Sequence, residues 1–140
     1  MTFDNPKGGL GYAAEFQSSA LPWVTSSVAP AAGSPVRFDF AKVTRFITVS
    51  NRDSVFSGAI SFAFTRNGIT GTGGVGSNKY ILQGGQSVTL EVRIKTLYLQ
   101  GELGTPPYSL FAGLTNIDAL NMPNLSGTLP TGGEGWRGVG

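Results

Sequence analysis

Val88-Thr89-Leu90-Glu91-Val92-Arg93-Ile94-Lys95 is the stretch that decides the fold. Its four aliphatic side chains face one way, and Thr89, Glu91, Arg93 and Lys95 face the other. That two-residue period belongs to a strand with one buried and one polar face. At Thr96 the phase slips, because Leu97 and Leu99 fall on the opposite parity. A bulge or bend is expected there. It would set Leu97 and Leu99 on the less apolar face, as candidate contacts with a neighbouring chain.

The same period recurs upstream. Val36-Arg37-Phe38-Asp39-Phe40 alternates apolar and charged residues, and Val43 to Ser50 sets Val43, Ile47 and Val49 against Thr44, Phe46 and Thr48. The β-branched residues in that run suit extended backbone. Asn51-Arg52-Asp53-Ser54 supplies turn chemistry. Ala59 to Thr65 reads as a strand with Ile60, Phe62 and Phe64 opposite the small Ala59, Ser61 and Ala63, and Asn67-Gly68 as a turn. Lys79 to Leu82 is a short strand closed by Gln83-Gly84-Gly85-Gln86, and Tyr108 to Thr115, after Pro106-Pro107, is the last.

Seven or eight short strands without a helix of three turns imply an all-β chain. Two packed antiparallel sheets follow, a sandwich of jelly-roll or immunoglobulin-like topology. Residues 1–34 read as an N-terminal arm with one short strand near Leu21 to Ser27, residues 35–117 as the sandwich, and residues 118–140 as a Gly/Pro-rich tail.

Composition agrees. The 140 residues suit one domain, and only 13% are charged against the roughly 25% of typical soluble domains. Eight acids and ten bases are too few for the polar faces of a helical bundle. The chain has no His and no Cys. Hydrolases that use imidazole as the base, thiol redox chemistry, disulfides and His/Cys zinc sites therefore lack their essential residue. No enzyme activity and no cofactor are expected. A net charge of +2 and a basic stretch, Arg37, Lys42, Arg45 and Arg52, broken by Asp39 and Asp53, argue against nucleic acid as a partner. The uncharged run from Phe16 to Val36 contains Pro22, Pro30 and Pro35 and several hydroxyl side chains, so membrane insertion as an apolar helix is not expected. The start of the chain lacks the basic-then-apolar pattern of a secretion signal.

Motifs of chemistry fail on context. Gly71-Thr72-Gly73-Gly74-Val75-Gly76 matches a dinucleotide fingerprint, with Glu91 about twenty residues on. That fingerprint needs its last glycine to open a helix, whereas this one leads into the strand at Tyr80. Asp39, Asp53, Glu91 and Asp118 are the carboxylates available for glycoside hydrolysis, but Asp39 and Glu91 lie beside Arg37 and Arg93, where ion pairing accounts for them. Asn51, Asp53 and Ser54 lack the alternating acids of a calcium loop. Asn124-Leu125-Ser126 formally matches a glycosylation acceptor. What remains is the surface: so few charges, with Phe46, Leu97, Leu99 and Phe111 on the less apolar strand faces, favour a chain that hides surface against neighbours. The competing expectation is that both faces of each sheet are covered within the domain.

The series Val36 to Phe40, Arg45 to Asn51, Ile60 to Gly68, Lys79 to Gln86, Val88 to Thr96 and Ser109 to Ile117 resembles the single jelly-roll penton proteins of large icosahedral double-stranded DNA viruses, such as the chlorella viruses. The likeness covers about eighty residues, Val36 to Ile117, and is one of strand rhythm and loop phrasing. It implies an eight-stranded jelly roll that forms homopentamers at capsid vertices in the virion, among trimers of a major capsid protein and minor capsid or spike proteins, assembled inside the host cell. The arms would then make contacts. Their candidate residues are Phe3, Tyr12, Phe16 and Trp23 at one end and Trp136 with Arg137 at the other, beside Leu97 and Leu99. The reading from another class is a carbohydrate-binding jelly-roll module of a viral fibre or surface protein, with Trp136, Tyr98 or Tyr80 stacking on a sugar.

Overall fold

A computed structural model of the chain describes residues 21–54, 58–71 and 78–125 and Val139. Among them eight strands run in chain order: β1 (Leu21–Val28), β2 (Val36–Asp39), β3 (Lys42–Asn51), β4 (Ala59–Ala63), β5 (Tyr80–Gln83), β6 (Ser87–Leu90), β7 (Thr96–Leu103) and β8 (Pro107–Asp118). A one-turn helix, α1 (Arg66–Thr70), lies between β4 and β5, and a 3₁₀ turn, Ala119–Asn121, follows β8. Among the described residues no helix is long and apolar enough to cross a membrane.

The strands form two sheets of four, ordered β1-β8-β3-β6 (sheet A) and β2-β7-β4-β5 (sheet B), and every pairing is antiparallel. Successive strands change sheet at each step except β4 to β5. That order defines a jelly roll, one of the two topologies the sequence left open. β1 is a full member of sheet A, paired with β8 from Leu21↔Leu114 to Val28↔Pro107. The sandwich therefore already includes Leu21–Val28, upstream of the boundary expected at residue 35.

The inner faces meet in a core built from Ile47, Val49, Leu110 and Ala112 of sheet A and Ile60, Phe62, Leu97 and Leu99 of sheet B. A smaller cluster of Val43, Ile117 and Met122 closes one end. Leu97 and Leu99 are 0% exposed, which overturns their assignment as contacts with a neighbour. The deciding stretch explains the error. Only Ser87–Leu90 is ladder-paired strand; residues 91–94 leave sheet A, the backbone bends at Lys95, and β7 starts in sheet B. A chain that passes from one wall of a sandwich to the other reverses which parity points inward. The expected bend is present, and both parities are buried in turn.

Thr44 fastens this crossing. Fully buried, its Oγ1 donates to Val92 O (2.6 Å) and accepts from Ile94 N (3.0 Å), while its own N donates to Ile94 O (2.9 Å). β3 is irregular against β8 between Lys42 and Phe46, which turns Thr44 to this task. β4 is buried on both faces rather than one. Asn67-Gly68 lies inside α1 instead of a hairpin turn: Thr65 Oγ1 accepts from Gly68 N (2.9 Å) and caps the helix, and Gly71 ends it with φ 71°.

Candidate functional site

Two surfaces of the sandwich differ in chemistry. The first is the outer face of sheet A. Outward residues are Pro22, Val24, Ser26 and Val28 on β1, Pro107, Ser109, Phe111 and Gly113 on β8, Phe46, Thr48 and Ser50 on β3, and Ser87 and Thr89 on β6. None is charged. Charges begin beyond these residues, at Arg45 where β3 is irregular, at the Lys42–Asp118 pair between β3 and β8, at Arg52 after β3 and at Glu91 after β6. Across its middle, Phe46 stacks on Phe111 with ring centroids 5.7 Å apart, and Val24 (68% exposed) lies opposite Phe111 (39%). Four of its six hydroxyls bond in pairs, Ser26 Oγ with Ser109 Oγ at 2.9 Å and Thr48 Oγ1 with Thr89 Oγ1 at 2.8 Å. Removing water from such a face desolvates no ion and leaves those hydroxyls paired.

The outer side of sheet B is largely closed. Gln100 is buried there, its Oε1 accepting from Gly33 N (3.0 Å) and its Nε2 donating to Ile69 O (3.3 Å), so the segment after β1 and helix α1 both lie over the sheet. Gly101 N donates to Pro30 O at 2.6 Å. Beside this cover a cleft of about 260 Å³ remains. Arg37, Arg66 and Lys95 line it together with Phe64 and Tyr98. Thr65, Thr96, Asn124 and Leu125 complete the lining among the described residues, and no acid takes part.

The cations of the cleft differ in their partners. Arg37 Nε donates to Asp39 Oδ1 (2.9 Å), and its guanidinium lies 5.9 Å from the Tyr98 ring centroid. The bond to Asp39, then Tyr98 and the Asp39 charge, hold the Arg37 pKa above its ordinary value. Lys95 Nζ donates to the carbonyl of Met122 at 2.8 Å. Arg66 has no carboxylate partner among the described residues.

The candidate carboxylates are dispersed rather than paired with each other. Asp39 holds Arg37 and accepts from Thr96 Oγ1 (3.0 Å), and Asp118 holds Lys42. Among the described residues no group of three or more Asp or Glu could hold a metal ion. Asn51 is buried and knits three connections: its Nδ2 donates to Gly58 O (3.3 Å) and Leu82 O (3.1 Å), and its Oδ1 accepts from Asp53 N (3.0 Å). Turn chemistry at Asn51 was legible; its reach into β5 was not.

Of the expected contact residues, Leu97 and Leu99 are core, and Trp23 serves the core as well. Its ring meets Phe38 at 5.8 Å and Phe40 at 4.9 Å, both edge to face, joining β1 to the opposite sheet. Phe3, Tyr12, Phe16, Trp136 and Arg137 lie outside the described residues, as does the glycine loop beyond Gly71. Phe46 and Phe111, noted in the sequence for their parity, do face outward. Arg66, Lys95 and Asn124 were not brought together by any sequence signal, because they come from three separate connections.

No family model matches the chain, and no curated protein does. Among solved structures, the chain is similar to one described as "Bacillus endospore appendages form a novel family of disulfide-linked pili", with 18% identity over 76% of this chain and 99% of that one, and a TM-score of 0.36. It is also similar to IMPa from Pseudomonas aeruginosa in complex with an O-glycopeptide, with 16% identity, 76% of this chain, 14% of that one and a TM-score of 0.36. Likenesses this distant bear on neither the partners nor the chemistry of this protein.

Proposed function

We propose that this chain is a structural subunit, a jelly-roll capsid protein that forms homopentamers at the vertices of a virus shell and meets major and minor capsid proteins there. One observation carries the reading: the middle of the outer face of sheet A, residues 22–28, 107–113, 46–50 and 87–89, is uncharged, and four of its hydroxyls bond each other. A face of that kind is suited to contact with another chain. The jelly-roll strand order is compatible with this use and with others, so the fold alone does not select it.

A closed ring needs two different patches on each subunit. The second patch in this reading is edge strand β5, where Tyr80 and Ile81 are exposed. The test is the mass of the full chain in solution by light scattering over a concentration series. Five times the monomer mass is the expected result. A monomer at every concentration overturns the homopentamer.

A further inference from the structure

The cleft on sheet B is independent of the assembly face, and its chemistry calls for a ligand. Three of the chain's ten basic side chains line it without an acid among them. Asp39 at its margin accepts from Thr96 Oγ1 and, among the cations, pairs with Arg37 alone, so Arg66 and Lys95 have no carboxylate partner among the described residues. The cleft is an electropositive concavity in a protein with few charges, which favours an anion.

Size and lining narrow the anion. A volume of about 260 Å³ equals roughly eight or nine waters of liquid, more than a bare inorganic anion fills. Phe64 and Tyr98 make part of the lining aromatic, with the Arg37 guanidinium 5.9 Å from the Tyr98 ring centroid, and Asn124, whose side chain makes no bond among the described residues, supplies both a donor and an acceptor. We propose that the cleft binds one carboxylated sugar ring, a hexuronate unit of an acidic glycan. Arg66 and Lys95 receive the carboxylate, Asn124 a ring hydroxyl, and the aromatic side the C–H face of the ring.

The full chain, isotope-labelled, is titrated at low salt with D-glucuronate, D-glucose and sodium acetate while its amide resonances are followed by NMR. Glucuronate shifts Arg66, Thr96 and Tyr98 saturably, and glucose and acetate bind at least about tenfold more weakly, because each lacks one half of the recognition. Arg66→Gln weakens glucuronate about tenfold, and Lys95→Gln does the same. Arg52→Gln, which removes an equal charge outside the cleft, leaves binding unchanged. Absence of saturable shifts with glucuronate overturns the proposal, as does equal binding of glucose or acetate. So does unweakened binding by both charge variants. A monomeric protein that binds glucuronate separates this result from the assembly reading, which rests on the outer face of sheet A and the β5 edge.

Discussion

Single side chains in this sandwich act mainly by satisfying the backbone where it leaves a sheet. Thr44 serves both Val92 O and Ile94 N from a fully buried position. Thr44→Val keeps the shape and leaves those two groups unpaired, so unfolding in urea should show a loss of about 1–3 kcal/mol per group, whereas Thr44→Ser retains most of the stability. Tyr108 gives a pH-dependent case. Burial raises its phenol above the ordinary value, with a hydrogen bond to Ser27 opposing. A phenol harder to ionise in the folded state than in the unfolded one stabilises fully below the unfolded pKa and loses that contribution as pH rises through the folded pKa. Thermal melts from pH 9 upward should therefore fall more steeply for the wild type than for Tyr108→Phe; parallel curves would contradict this. Neither role was visible in sequence, since Thr44 alternates like any exposed threonine and Tyr108 like any strand aromatic.

At the level of elements, the strands were legible and their membership of a sheet was not. The alternation at Val36 to Asp39 and Val43 to Ser50 maps onto β2 and β3 because one face of each meets the core. Where the chain crosses between walls, at residues 91–95, the period persists without ladder pairing and then reverses. Leu97 and Leu99 were misplaced for that reason. Gly101 marks another such feature of β7. A Cβ there would lie 2.1 Å from Gly104 O and 2.9 Å from Pro30 O, backbone atoms of the turn after β7 and of the segment crossing it. Gly101→Ala should thus displace that segment from sheet B, lowering the melting temperature and raising hydrogen exchange at Gly33 and Gly101; protection equal to the wild type would show that the crossing can yield without loss.

For the whole molecule the unequal use of charge matters most. Sheet B is covered on part of its outer side by α1 and the segment after β1, while the middle of sheet A's outer face carries no charge among the described residues. Cover within the domain thus describes part of sheet B, while the middle of sheet A is left open and neutral. Val24→Lys places a charge at an exposed position of edge strand β1, where lysine is well tolerated. The variant should melt within a few degrees of the wild type, as surface changes of about 0.5 kcal/mol allow, yet remain monomeric in light scattering. Full assembly by the lysine variant would remove sheet A from the interface.

Local spacing by itself determined that this chain is an all-β sandwich, because alternation and turn residues act within a few positions of the backbone. The missing histidine and cysteine likewise removed whole classes of chemistry without reference to any fold. Only the tertiary structure decided which strands share a sheet, that Leu97, Leu99 and Trp23 belong to the core, and that Arg37, Arg66 and Lys95 border one cleft. Those are facts about pairs of residues far apart in the chain. Strand alternation says that a side chain has an inside and an outside, and the path of the chain between two walls decides which is which.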